Sequence, residues 1–319
     1  MRLEMQKSYA VTQNLKYEVG DGKKLTELSV SDTVTSISIK GIVGGSDVIG
    51  GVRFGNGVEW IGDGCFANND SKIEITNADG IRHIGKQSFF GCPGDENDLL
   101  DGKHLLFSID DMAFANSGLK TASISLSGYQ ATDEDLDVCR STEQQTGPYL
   151  GAYAFRGCAS LADVSFVNSN EIGDWMFMDC QSLSGVRFTR NLGSCVGTGA
   201  FQNCTGLREI SFPSRFKLFS PDMFNGCQNL SSVSVDEPSE SELSDGTAFM
   251  CIQDRAFFGC QSLSEIVIPK GITSLEAFDQ NSFFGSSIGK ITLNGITRER
   301  LLQYANISST TPPSASYST

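Results

Sequence analysis

The sequence predicts an α/β repeat solenoid with a parallel sheet on one face and short helical turns on the other. Three observations predict it: a phrase written nine times, a backbone-permissive residue closing each copy, and an apolar alternation after it. The phrase is plainest in DRAFFGCQSLSEIVIP (254–269), which echoes DWMFMDCQSLSGVRF (174–188) and AYAFRGCASLADVSF (152–166).

Aligned on one phenylalanine of the phrase, the copies give nine anchors: Phe66, Phe89, Phe114, Phe155, Phe177, Phe201, Phe224, Phe257 and Phe283. The closest spacings are 22–24 residues, a period that suits a solenoid whose unit is a strand plus a turn. Five positions before each anchor stands an apolar residue, such as Ile61, Ile84, Val196, Ile252 or Phe278. Apolar residues at both ends of that step fit a short helical turn docked by one face. Ser220 and Pro221 read as its N-cap and first residue, and Asp63, Asp174 and Asp254 as first-turn carboxylates meeting the helix dipole. Two positions after each anchor stands Gly, Asn or Asp in all nine copies. These are the types that tolerate a left-handed backbone and stop a helix.

Six copies then carry a cysteine: Cys92, Cys158, Cys180, Cys204, Cys227 and Cys260. Five of these run on into Leu-x-x-Val/Ile-x-apolar, as in Leu263, Ile266 and Ile268, the mark of a strand with one buried face. Two copies have Ser instead, FANSGLKTASI and FFGSSIGKITL, and are one residue shorter before the strand. One coil cannot bury its own apolar stripe, so stacked copies bury each other's. The phenylalanines then form one interior stack and the cysteines a column beside it.

These residues carry a family likeness. The phrase I-G-x-x-A-F-x-x-C-x-x-L-x-x-I-x-I-P, matched nearly throughout by IQDRAFFGCQSLSEIVIP (252–269), resembles the BspA-like leucine-rich repeat. The resemblance covers about residues 50–295 and implies a curved leucine-rich-repeat solenoid. It further implies a cell-surface or secreted bacterial or protozoan protein that binds host or matrix proteins, with no shared catalytic site.

Three domains are expected: an N-terminal capping segment with short strands (1–49), the solenoid (50–296), and a cap helix with an unstructured Ser/Thr/Pro-rich tail (297–319). The cap strands are LTELSV and VTSISIKG, and the cap helix is TRERLLQYA (297–305). Insertions near 92–104, 128–149 and 236–248 are acidic or turn-rich and read as surface excursions.

Composition narrows the function. With 24 Lys+Arg against 38 Asp+Glu the net charge is −14, which repels phosphate backbones and anionic lipid. No apolar run reaches the ~18–20 residues of a spanning helix. MRLEMQKSYA lacks the apolar centre of a secretory leader, which leaves export by a leader upstream of Met1 or a cytoplasmic chain.

The six column cysteines read as free buried thiols, because equivalent side chains on stacked coils point the same way, while Cys139 in the long insertion reads as the most exposed of the other four. Cys65, Cys139, Cys195 and Cys251 lie off the column, and no Cys-x-x-Cys pair exists for zinc. The run Asp133, Glu134, Asp135, Asp137 lacks the Gly and closing Glu of an EF-hand and reads as solvated. His83 and His104 are the only histidines; a hydrolase would need one within reach of a Ser or Cys in a cleft. No cofactor or metal and no catalytic residues are expected. The remaining functional surface is the outer sheet face, where Ser165, Arg187, Ser211, Ser234 and Val267 lie between buried strand residues. The sequence reads as a monomeric, non-enzymatic protein-binding module, with a structural spacer of a larger surface assembly as the alternative.

Overall fold

The computed structural model describes residues 51–54, 56–69, 72–94, 99–101, 106–126, 149–168, 171–188, 195–214, 216–237, 239, 249–269 and 281–288, together with the strand backbones at 2–4, 15–19, 25–30, 36–38, 274–276, 290–293 and 314–316. The chain divides into two compact units, Met1–Tyr129 with Gln145–Asn168, and Gln130–Gln144 with Ser169–Thr319. The expected helix 297–305, most of the insertions, His104, Cys139 and the acidic run at 133–137 lie outside the described residues.

In the first unit the alternating segments pair in parallel. Leu25–Val30 pairs with Gly51–Arg53, and that with Glu74–Thr76; Thr121–Ser125 pairs with Asp163–Asn168. Leu15–Val19 joins Leu25–Val30 as the antiparallel member. In the second unit the order is Glu209–Phe212, Ser232–Val235, Glu265–Ile268, Lys290–Leu293 and Ser314–Ser316, all parallel. Alternation does what the pattern predicts: Val233, Val235, Ile266 and Ile268 are buried, while the residues between them reach solvent.

A second parallel sheet occupies the edge where a helical turn was expected. In the first unit its two- and three-residue strands are Arg2–Glu4, Ser36–Ser38, Trp60–Ile61, His83–Ile84, Ser108–Ile109 and Tyr149–Leu150, each paired with the next. The second unit has Glu171–Ile172 beside Cys195–Val196, and Leu218–Phe219 beside Phe249–Ile252 and Ser274–Glu276. The apolar position five before the anchor is thus, in the eight copies where it is described, the inward residue of a short strand.

The segment around the anchor is not a helix either, which corrects the helical half of the expected fold. It is a run of three turns, as at Phe177. Met176 N–H donates to Gly173 O, Met178 N–H to Trp175 O and Cys180 N–H to Phe177 O. The amides between these, of Trp175, Phe177 and Asp179, donate to Thr198, Ala200 and Gln202 of the next coil. A helix would spend every amide within the coil, four residues back. Here alternate amides leave along the stack, and they bind one coil to the next. The geometry needs positive φ twice per run, at the third residue of the first and last turns. It is seen at Trp175 (48°) and Asp179 (64°), and equally at Tyr153 and Gly157 or Asp222 and Gly226.

Two of the three carboxylates read as helix signals serve the stack instead: Asp63 Oδ1 accepts the amide of Lys86 and Asp174 Oδ1 that of Thr198, each in the following coil, as Asp111 Oδ1 does with that of Ala152. Asp254 Oδ1 is buried without a hydrogen-bond partner among the described residues. Ser220 is no N-cap: its hydroxyl donates to Gly197 O of the preceding coil.

All nine anchors are buried. In the first unit Phe66, Phe89, Phe114 and Phe155 stack with centroids 5.2, 5.0 and 5.4 Å apart. In the second, Phe177, Phe201, Phe224, Phe257 and Phe283 follow at 5.6, 5.5, 5.5 and 5.4 Å, most within 15° of parallel. Burying each ring contributes about 1.5–3 kcal/mol, and each aromatic pair adds about 0.5–1.5 kcal/mol.

Candidate binding faces

The column cysteines are free thiols, as are Cys65 and Cys251. They do more than fill space. Sγ donates to the anchor carbonyl of the preceding coil: Cys92 to Phe66 O (3.0 Å), Cys158 to Phe114 O (3.0 Å), Cys204 to Phe177 O (3.1 Å), Cys227 to Phe201 O (3.0 Å) and Cys260 to Phe224 O (3.2 Å). Burial pushes the Cys204 and Cys227 thiols far above the usual range and Cys260 up to about 12. A thiol held neutral this firmly is neither nucleophile nor metal ligand, and no group of metal-binding side chains forms among the described residues.

The residues expected on the outer sheet face fall in both units. In the second, Ser211, Ser234 and Val267 stand in register on neighbouring strands. Ser234 Oγ donates to Ser211 Oγ (3.1 Å), which donates to Asp236 Oδ1 (2.9 Å), so the row is tied to itself. Arg187 is exposed on the strand Gly185–Phe188, whose Phe188 ring stacks on Phe212 (5.4 Å). Ser165 belongs to the first unit, where it pairs with Ser123 and donates to its Oγ (2.8 Å).

A second face was not read from the sequence. The outward residues of the first unit's second sheet are Trp60, His83, Ser108 and Tyr149, in register on successive coils. Trp60 is 41% exposed, and its indole stacks on His83 with centroids 4.2 Å apart and 19° between planes. Phe107 closes on His83 from the far side at 5.1 Å. These residues belong to different copies of the phrase, one step outside its signature positions. Only the alignment could have gathered them, by asking what each copy places beside its buried Ile61, Ile84, Ile109 or Leu150.

His83 Nδ1 lies 3.1 Å from Ser108 Oγ, the histidine–serine approach a hydrolase would need. Ser108 is buried, with the Asp110 carboxyl interacting with it rather than with the histidine, whereas in a nucleophilic triad the carboxylate orients the histidine. Burial lowers the His83 pKa, with Glu59 opposing, and burial raises that of Asp110.

With the coils, their strands and their anchors in place, comparison with known families is decisive. The model of the BspA type leucine rich repeat region, in six copies, matches residues 16–141, 141–251 and 239–314. The chain belongs to the BspA-type leucine-rich repeat family.

No curated protein matches it. Among solved structures, this BspA-type chain is similar to a leucine rich cell surface protein of Faecalibacterium prausnitzii, at 16% identity over 95% of this chain and 98% of that one, TM-score 0.38. A leucine-rich repeat protein of Bacteroides ovatus matches at 18% identity over 97% and 100%, TM-score 0.37. The pneumococcal vaccine antigen PcpA matches at 13% over 91% and 88%, TM-score 0.35. In this BspA-type chain no described helix is long and apolar enough to cross a membrane.

Proposed function

We propose that this chain is a non-enzymatic protein-binding module that acts at a cell surface, in adhesion or in recognition of a host or matrix protein. The observation that supports it most is the register of the outer sheet. Ser211, Ser234 and Val267 fall on one row across three parallel strands, a surface of short side chains over a buried core. Such a row lets a partner's backbone approach without displacing large groups. The chemistry of the described residues adds to this, since the column thiols are buried and bonded between coils. Arg187, Ser211, Ser234 and Val267 form the proposed contact set of the second unit, and Ser165 is a proposed contact of the first unit's own sheet.

The test is capture of matrix and cell-surface proteins by the immobilised chain, compared with a Ser211→Arg/Ser234→Arg variant. Bulk and charge on that row should weaken capture by about tenfold or more, roughly 1.4 kcal/mol, with unchanged circular dichroism. Saturable capture that ignores the two substitutions would move the contact elsewhere. Absence of any saturable capture would leave the spacer role as the better reading.

A further inference from the structure

Of the large apolar side chains described in the first unit, Trp60 alone is exposed, at 41%. It is held in place all the same. The His83 ring lies against one face at 4.2 Å, Phe107 backs that ring at 5.1 Å, and Ser108 Oγ stands 3.1 Å from its Nδ1. A side chain supported in this way has already given up rotamer freedom that binding would otherwise take from it. Its donor is unspent, because the indole N–H has no partner among the described residues. The other tryptophan is used differently. Trp175 is half-buried, and its indole edge covers Gly199, where a Cβ would collide with Cδ1 and Nε1.

Charges of both signs border this ring. Glu59 precedes it on the chain and is exposed, and Arg82, whose amide donates to Glu59 O (2.8 Å), stands one coil on. Arg82 Nη1 donates to the carbonyls of Asp79 (3.0 Å) and Ile81 (3.1 Å), while its other N–H groups and the Glu59 carboxylate have no partner among the described residues. A rigid, exposed aromatic ring with a free donor and a polar rim is the make-up of an interface hot spot. We propose that Trp60 is an anchor that inserts into an apolar slot on a protein partner. The slot carries a carbonyl or carboxylate acceptor for the indole N–H, a basic residue that meets Glu59 and an acidic residue that meets Arg82. A sugar ring would stack on an indole face, and His83 already fills one of the two; insertion asks only for the part of the ring that stands clear. This site rests on the protein-binding reading above and gives it a contact in the first unit.

The probe is a phage-displayed library of random cyclic peptides, selected on the immobilised full chain. Synthetic copies of the enriched peptides should bind saturably by calorimetry and lose about thirtyfold in affinity on Trp60→Ala. His83→Ala keeps the indole but removes its support, and should cost about threefold or more. Trp60→Phe keeps a ring without the N–H and should fall between these. These two variants read the site even if Trp60→Ala perturbs the fold. Enriched peptides that ignore Trp60→Ala would overturn the proposal, as would affinity unchanged by both Trp60→Phe and His83→Ala, or a selection without any saturable binder. The chain has two tryptophans, so a Trp175→Phe background leaves Trp60 as the sole indole reporter. A blue shift of its fluorescence with phosphatidylcholine vesicles or a neutral oligosaccharide, and not with the peptides, would overturn the proposal in favour of lipid or glycan. Protein capture that is lost on Ser211→Arg/Ser234→Arg but indifferent to Trp60→Ala would sink this site and leave the outer-sheet reading standing. Capture that falls with Trp60→Ala and ignores the two serine substitutions would do the reverse.

Discussion

At the residue scale the cysteine is the informative case. The sequence shows a small apolar column, and burial agrees, but the side chain is retained for a bond as well. The anchor carbonyl has two lone pairs, one taken by the amide three residues on and the other by a thiol from the next coil, as Phe201 O takes Cys204 N–H and Cys227 Sγ. That second bond joins coils and leaves no periodic trace in one copy, so it could not be read from the phrase. It has a consequence in alkali. The folded pKa values of Cys204, Cys227 and Cys260 are raised above that of an unfolded thiol, with Cys260 at about 12. The native state therefore holds protons that the unfolded chain releases. Stability is intact below the ordinary thiol range and falls as pH rises towards the folded values, by about 1.4 kcal/mol per pH unit for each thiol. Urea midpoints measured from about pH 8 to pH 11 should show this decline, and Cys227→Ala should make it shallower.

At the scale of the element, half of the turn was legible. The Gly, Asn or Asp two residues after each anchor announces positive φ because few other residues adopt it. The matching position two residues before the anchor holds Gly64 and Gly199 in two copies, Asp222 in one, and Gln87, Met112, Tyr153, Trp175 and Arg255 in five, all at positive φ. Nothing in those last five side chains signals it. The conformation is imposed by an amide that must reach the next coil and a carbonyl that must close the middle turn. Coil-to-coil crowding also explains the order of residues at the legible position. A Cβ at Gly91 would lie 2.7 Å from Asn68 Oδ1, and one at Gly226 would run into Asn203 Oδ1, so glycine follows asparagine in the next coil. Gly226→Ala should cost about 1–2 kcal/mol from φ alone, with the clash in addition. Adding Asn203→Gly should recover the clash and not the φ cost, a non-additivity that a double-mutant cycle in urea would detect.

At the scale of the molecule, the repeat, the outer strands and the buried anchors were all available from one chain. The second sheet and its aromatic row were not, because two-residue strands carry no alternation to read. Each unit behaves as a stack, so a residue's weight depends on how many neighbours it serves. Phe201 is fully buried between Phe177 and Phe224, and Phe201→Ala should cost about 3–5 kcal/mol. Phe283 is 8% exposed and has one stacked partner among the described residues, so Phe283→Ala should cost clearly less in the same denaturation experiment.

The alternation of amides through the turn gives the segment a parity. Between Gly173 and Cys180, odd and even residues have different obligations, one set closing the coil and the other reaching the coil beyond. Loss of a single residue there would exchange the two sets for every position downstream in that turn. Loss of two would restore their alternation. Outside its anchor and its closing Gly, Asn or Asp, the turn of a copy can therefore vary in side chain yet hardly at all in length, while its loops, which carry no such parity, are free to grow.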